Sequence, residues 1–250
     1  MPMEIKMKIL ITGSNGFVGK NLIERLNKDG YHDITIFDIE NSLDELKEFS
    51  RDTEFIYHFA AVHRPKDNSE YYKTNAGLTE TLMSFLEENG NNCPVLLTSS
   101  IQANDKNDYG ESKRGAEKAV REHSLKTGAK TIIYQLTNTF GKWAMPNHHS
   151  VVATFCYNIA RDFPVSISNP NHIMNLYYID DVIDDFLRHL KEEVPPNKEG
   201  YYKLTDDKVF EVSLGKLAEL ITNFKNNTSI VFNNKFEEHL YNTYLTYKPN

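Results

Sequence analysis

Thr12-Gly13-Ser14-Asn15-Gly16-Phe17-Val18-Gly19 is the stretch that decides the fold. It follows the apolar run Lys8-Ile9-Leu10-Ile11-Thr12 and precedes a helical pattern with Val18, Leu22, Ile23 and Leu26 on one face. Glycines in such a turn let the backbone bend tightly and approach a pyrophosphate closely. The N-terminus of the next helix adds amide donors and the positive end of its dipole. Strand, turn and helix together point to a dinucleotide site, with Gly13, Asn15, Gly16, Phe17, Val18 and Gly19 as its contacts. Asp38, at the end of the β-prone run Ile34-Thr35-Ile36-Phe37, stands roughly 20 residues further on, where a carboxylate accepts from ribose hydroxyls and repels a 2′-phosphate. Ile39-Glu40-Asn41 follow it without an arginine. The pattern leans toward NADH over NADPH and leaves both open.

Apolar β-prone runs alternate with helical patterns through the first 140 residues. Further strands are expected at 55–60, 95–97 and 131–136. Ser42-Leu43-Asp44-Glu45 reads as a capping box, a helix is expected from 69 to 88, and Tyr109 opens another. The expected class is α/β, a Rossmann-type doubly wound parallel sheet. Residues 1–140 form the dinucleotide-binding domain. Beyond Gly141 the pattern loosens and prolines punctuate it. Residues 141–250 are expected to form a small substrate-binding lobe interleaved with the last sheet strands. This lobe should hold helices near 151–161, 180–190 and 213–224, with short strands at 165–167 and 176–178.

The formal net charge of −7 argues against nucleic acid and anionic membranes as partners. No apolar run approaches the roughly 20 residues of a membrane span. The start, Met1-Pro2-Met3-Glu4-Ile5-Lys6, lacks the apolar stretch of a signal peptide. Cys93 and Cys156 show neither metal-ligand spacing nor a disulfide framework, so reduced thiols, no metal and a cytoplasmic location are expected.

Tyr109-Gly110-Glu111-Ser112-Lys113 carries the chemistry. A tyrosine and a lysine four apart share one helix face. An ammonium beside a phenol favours the phenolate, which is expected to lower the Tyr109 pKa and make it a proton donor and acceptor near neutral pH. Ala60 and Ala61 end the third strand and let backbone pass close to a cofactor. His58 reads as a packed core histidine. Arg64 follows on a loop at the ligand-binding sheet edge, where it meets a phosphate or sugar group or is simply a surface cation. Asn75, a mediocre helix former inside a helix, suits a distorted turn or a water-holding relay.

The set Thr12-Gly13-x-x-Gly16-Phe17-x-Gly19, Asp38, Ala60-Ala61, Asn75, Ser99-Ser100 and Tyr109-x-x-x-Lys113 resembles the extended short-chain dehydrogenase/reductase family. That clan contains nucleotide-sugar epimerases, dehydratases and reductases. Ser99-Ser100-Ile101-Gln102-Ala103, Asn138-Thr139-Phe140-Gly141-Lys142-Trp143 and Ser150-Val151-Val152-Ala153-Thr154-Phe155-Cys156-Tyr157 are more specific. They resemble the reductase half of the CapF-type capsular polysaccharide enzymes.

The resemblance implies reduction of the C4 ketone of a UDP-activated 4-keto-6-deoxy-N-acetylhexosamine by NADH or NADPH. It implies Tyr109 as the acid that protonates the C4 oxygen, Lys113 as the holder of the nicotinamide ribose, and Ser100 as donor to the substrate oxygen, with Ser99 the second candidate. Asn138, His148, His149 and Tyr178, with Arg64, are the implied substrate contacts, and a homodimer is allowed. The cupin domain of those enzymes, with its zinc and its epimerase activity, is not part of the expectation.

Two departures stand out. Gln135 occupies a position where many extended members have arginine. Ile101-Gln102 after Ser100 offers no acid/base pair for elimination, which weighs against a dehydratase. A nucleotide-sugar 4-epimerase is the alternative within the clan. A non-catalytic dinucleotide-binding scaffold is the alternative outside enzymes, and the presence of both Tyr109 and Lys113 weighs against it.

Overall fold

Five short apolar runs become one parallel sheet: β1 Ile9–Thr12, β2 Ile34–Phe37, β3 Phe55–His58, β4 Val95–Ser100 and β5 Thr131–Leu136. Their order is β2-β1-β3-β4-β5. Thr12 at the end of β1 lies opposite Phe37 on one side and His58 on the other. From β1 the chain goes to β2 on one flank and then crosses to β3 on the other. The C-terminal ends of β1 and β3 are therefore the switch point at which open α/β sheets take ligands. The doubly wound parallel sheet read from the sequence is the one found. The computed structural model describes residues 5–62, 65, 67–148, 150–227 and 229–249.

Helices α1 Phe17–Lys28, α2 Leu43–Phe49, α3 Ser69–Tyr71, α4 Leu78–Asn89 and α5 Asp108–Thr127 accompany these strands. Leu46 of α2, Leu82, Met83 and Leu86 of α4, and Ala116 and Val120 of α5 close over Leu10, Ile56, Val95, Leu97 and Ile133 in one buried cluster. Each fully buried leucine or isoleucine contributes about 1.5–3 kcal/mol. On Tyr57 and Tyr134 lies the last part of helix α7 Ile179–Arg188 with the residue that follows it. Phe186 packs on Tyr134, the Phe186 carbonyl accepts from the Tyr57 hydroxyl at 3.4 Å, and His189 pairs with the Tyr134 hydroxyl at 2.8 Å. The predicted capping box forms: Ser42 Oγ accepts from the Glu45 amide and Glu45 from the Ser42 amide.

The chain divides into two compact units. The first is the described chain up to Leu136 together with Phe186–Lys203, and the second is Thr137–Asp185 with the described residues from Leu204 on. The second unit carries a three-stranded sheet of β6 Asn138–Phe140, β7 Ile173–Tyr178 and β8 Val209–Ser213, in that order. Strand β7 is parallel to β6 and antiparallel to β8. Helices α6 Val151–Ala160, α8 Leu214–Asn226 and α9 Lys235–Leu245 pack on one another.

Three details depart from the sequence reading. No strand forms at 165–167, because that segment, bracketed by Pro164 and Pro170, buries no face. The single helix expected from 69 to 88 is interrupted by a π-helical turn, Tyr72–Gly77. Strand β8 and helix α9 are elements for which the sequence reading gave no expectation.

Candidate active site

The glycine turn is built for close backbone approach. Gly13 has φ +70°, and a Cβ there would stand 2.7 Å from the Ala60 amide nitrogen. Only glycine combines that conformation with that contact. Helix α1 then begins at Gly16 with no side-chain cap, so its first-turn amides are left for an external anion. The Asp38 carboxylate, at the end of β2, accepts from the Asn15 amide at 2.7 Å, the Ser14 hydroxyl at 3.3 Å and the Ile39 amide at 2.9 Å. A carboxylate offers about four acceptor sites, so these three bonds, two of which fasten β2 to the turn, still leave room for a hydroxyl.

Behind the turn runs a buried polar chain. Thr12 Oγ1 lies 2.7 Å from His58 Nδ1, and His58 Nε2 lies 2.9 Å from Thr79 Oγ1. The Thr79 hydroxyl donates to the Asn75 carbonyl at 2.6 Å, so Thr79 accepts from His58 and the imidazole carries its proton on Nε2. Burial, then the nearby Lys113 charge, push the His58 pKa down to about 3. His58 is a neutral core histidine, as its sequence context suggested.

Asn75 sits buried in the π-helical turn and clamps the loop after β3. Its Oδ1 accepts from the Val62 amide at 2.7 Å, while its Nδ2 donates to the Val62 carbonyl at 3.1 Å and to Ser112 Oγ at 2.9 Å. Ser112 Oγ donates in turn to the Tyr109 carbonyl at 2.7 Å. The distorted turn thus ties the Ala60-Ala61-Val62 backbone to the first turns of α5, in keeping with the tendency of π-bulges to lie at functional sites.

Tyr109 lies in the first turn of α5, whose start is set by Asn107 accepting from the Gly110 amide at 2.8 Å. Its ring meets Tyr71 edge-on, with centroids 5.7 Å apart. Ser100 ends β4 and caps a short 3-10 turn, and its hydroxyl shares a hydrogen bond with that of Tyr109. Ser99 points elsewhere, buried and donating to Glu117. Lys113, one turn after Tyr109, is buried and donates to the Thr98 carbonyl at 2.7 Å.

The electrostatics correct one expectation. Burial raises the Tyr109 pKa to about 12, the Ser100 hydrogen bond opposes this only in part, and Tyr71 adds to it. Lys113 does not lower it. The ammonium is tied to the Thr98 carbonyl, and desolvation of the phenolate dominates. Lys113 itself is held down at about 8 by burial, partly offset by Glu117.

The profile of the NAD dependent epimerase/dehydratase family matches residues 9–202. The chain belongs to that family. The resemblance drawn from its motifs is borne out. The protein is 38% identical over 247 residues to the UDP-2-acetamido-2,6-beta-L-arabino-hexul-4-ose reductase of Pseudomonas aeruginosa, covering 97% of this chain and 65% of that protein. It is also similar to the crystal structure of the capsular polysaccharide assembling protein CapF from Staphylococcus aureus. The TM-score is 0.86 at 37% identity, with 97% of this chain and 66% of that one covered. The chain therefore spans slightly less than two thirds of the length of these relatives. UDP-glucose 4-epimerase from Thermotoga maritima, at 18% identity and TM-score 0.77, shares the fold.

For this member of the family, the residues present fit a nicotinamide dinucleotide. The open helix N-terminus, the Gly13 close approach and the Asp38 carboxylate stand together at the switch point, with Tyr109 and Lys113 on α5 of the same unit. Among the substrate-side candidates, Asn138, His148 and Tyr178 stand in the second unit. Asn138 opens β6 with its side chain exposed, and His148 is exposed on the segment before α6. Tyr178 stacks on His239 with ring centroids 4.1 Å apart. Burial and the Asp180 carboxylate beside it push its pKa well up. Arg64 and His149 lie outside the described residues.

Sequence reading passed over Glu117. Buried on α5, its carboxylate accepts from Ser99 and Gln135 through Oε1 and from the Tyr201 hydroxyl through Oε2, the latter two at 3.1 and 2.8 Å. The signal was available: a carboxylate flanked by Ala116, Ala119 and Val120 sits on the stripe that faces the core.

Proposed function

We propose that this chain reduces the C4 ketone of a UDP-activated 4-keto-6-deoxy-N-acetylhexosamine, in the making of a surface polysaccharide precursor. The observation that carries the reading is the 38% identity, across 97% of this chain, to a reductase named for such a hexul-4-ose. The site chemistry agrees with it. Reduction of a ketone needs one proton donor, and a phenol with its pKa raised to about 12 is fully protonated at neutral pH.

When bound, the reduced nicotinamide supplies the hydride. The protein's own residues do the rest. Tyr109 gives its hydroxyl proton to the carbonyl oxygen as C4 becomes tetrahedral, so the C=O double bond becomes a C–OH. Ser100, hydrogen-bonded to Tyr109, donates to the same oxygen as it gains charge. Lys113 binds the nicotinamide ribose, and Asp38 accepts from the adenosine ribose. The Asp38 carboxylate, with no arginine after it, favours NADH. Asn138 and His148, with Arg64, His149 and Tyr178, make up the proposed substrate side. The dinucleotide-binding domain is proposed to be residues 1–140 and the substrate-binding lobe residues 141–250, with Arg64 and Asn138 reaching the substrate side from the former.

The test is to follow oxidation of NADH and NADPH, in parallel, against a panel of UDP-4-keto-6-deoxy-N-acetylhexosamines. The expected result is stoichiometric cofactor oxidation and a sugar reduced at C4, faster with NADH. No oxidation of either cofactor with any 4-keto sugar overturns the proposal.

A further inference from the structure

Glu117 follows Lys113 by four residues and stands on the same face of α5. Both are buried, at 5% and 4% exposure. Three groups hold the Glu117 carboxylate, and all three are neutral: the Ser99 hydroxyl of β4, the Gln135 amide of β5 and the Tyr201 hydroxyl of the returning segment. Arg121, one turn further along α5, hydrogen-bonds the Tyr201 side chain, lies 4.7 Å from the centroid of its ring and donates to the Gly200 carbonyl, so it meets Glu117 only through Tyr201. Among the described residues no lysine or arginine forms an ion pair with Glu117. A buried carboxylate without a cation is costly, and hydrogen bonds from neutral donors offset only part of that cost.

The buried lysine one helical turn earlier on the same face is Lys113. That ammonium is surrounded by the Thr98 carbonyl on β4, the neutral His58 on β3, and Tyr109 and Glu117 on its own helix. Glu117 is the anion in this set. We propose that Glu117 is a positioning residue: a buried counter-charge, one helical turn behind Lys113, that holds the lysine as an ammonium ion aimed at the Thr98 carbonyl. The Ser99, Gln135 and Tyr201 groups donate to the Glu117 carboxylate without adding a cation that pairs with it directly. Ser99 thereby serves the site through Glu117 and not through the substrate oxygen.

The inference rests on the reading of Lys113 as the cationic member of a reductase site, but its test reads Lys113 directly in cofactor-free protein. Lysine side chains labelled with ¹³C at Cε are titrated by NMR, and Lys113 is the resonance lost in Lys113→Met. The wild-type midpoint is expected near 8. Glu117→Gln, which keeps the shape and lets Tyr201 turn to accept, is expected to lower that midpoint by about one pH unit. Glu117→Asp, which keeps the charge, is expected to restore most of it.

An unmoved midpoint in folded Glu117→Gln, or an equal fall in Glu117→Asp, overturns the inference and leaves Glu117 a packing residue. Should Glu117→Gln fail to fold, the Glu117 carboxyl carbon is titrated in the wild-type protein. A carboxyl already protonated at pH 7 overturns the inference, and one ionised there supports it. A midpoint that moves in a protein inert toward every 4-keto sugar supports the role of Glu117 while removing the reductase reading.

Discussion

Lys113 donates its ammonium to the backbone carbonyl of Thr98 at 2.7 Å, two residues before Ser100 at the end of β4. That one bond ties the helix carrying Tyr109 to the strand carrying Ser100. It explains why the lysine leaves the phenol's pKa alone in the cofactor-free protein. It also locates the sensitive point of the site in the charge of Lys113.

That charge predicts the alkaline limb of the pH profile. Lys113 loses its proton as pH rises through about 8, whereas Tyr109 keeps its own until about 12. The kcat/KM for ketone reduction is therefore expected to fall above about pH 8, with one ionisation. A profile flat to pH 10 would show that the free enzyme does not need the Lys113 charge.

Tyr109→Phe removes the hydroxyl proposed as proton donor, with its bond to Ser100, while the ring and its edge contact with Tyr71 remain. Turnover is expected to fall by at least about 10²-fold. Cofactor affinity, read by fluorescence of the bound nicotinamide, is expected to stay within about threefold of wild type, as most of the proposed cofactor contacts are elsewhere. Unchanged turnover would remove Tyr109 from the chemistry.

Asp38→Ala takes away the carboxylate that accepts from the Asn15 amide and repels a 2′-phosphate. The proposed preference for NADH over NADPH is expected to shrink by about tenfold or more, mainly through weaker NADH binding. An unaltered ratio of the two affinities would mean that Asp38 serves the turn alone.

Asn75→Ala leaves the Val62 amide and carbonyl and the Ser112 hydroxyl without their shared partner. Loss of hydrogen bonds at a buried site costs about 1–3 kcal/mol. Urea unfolding is expected to show that loss, with turnover lowered as well because Val62 and α5 lose their common tie. Wild-type stability in Asn75→Ala would refute the clamp.

His58 predicts acid sensitivity. Its pKa is about 3 when folded, against an ordinary 6.5 when unfolded. The unfolded chain therefore binds more protons between those values, and stability falls as pH drops from 6.5 toward 3. By pH 4.5 this one group is expected to cost about 2 kcal/mol relative to pH 7. The stability difference between wild type and His58→Gln, measured by urea unfolding at both pH values, should shrink by that amount at pH 4.5. A pH-independent difference would show that His58 is not the group responsible.

The sequence by itself determined the parallel sheet and the place of the glycine turn. Those features rest on local rules. Short apolar runs alternating with helical patterns belong in a parallel sheet, and a glycine turn between strand and helix has few other uses. It likewise placed Tyr109 and Lys113 on one helix face, because a helix has a fixed period.

What the sequence did not determine are the effects that depend on neighbours distant in the chain. The sign of the Tyr109 shift follows from burial against Tyr71 and the capture of Lys113 by Thr98, neither of which is local. The choice of Ser100 over Ser99 beside Tyr109 follows from which face of β4 meets α5. The π-helical turn at Asn75 exists because its amide bonds Val62 and Ser112, 13 and 37 residues away. The setting of Glu117 needs β4, β5 and the returning segment at Tyr201 to meet around one helix position. Tertiary structure decided these because desolvation and charge coupling depend on distance in space, which periodicity along a chain does not encode.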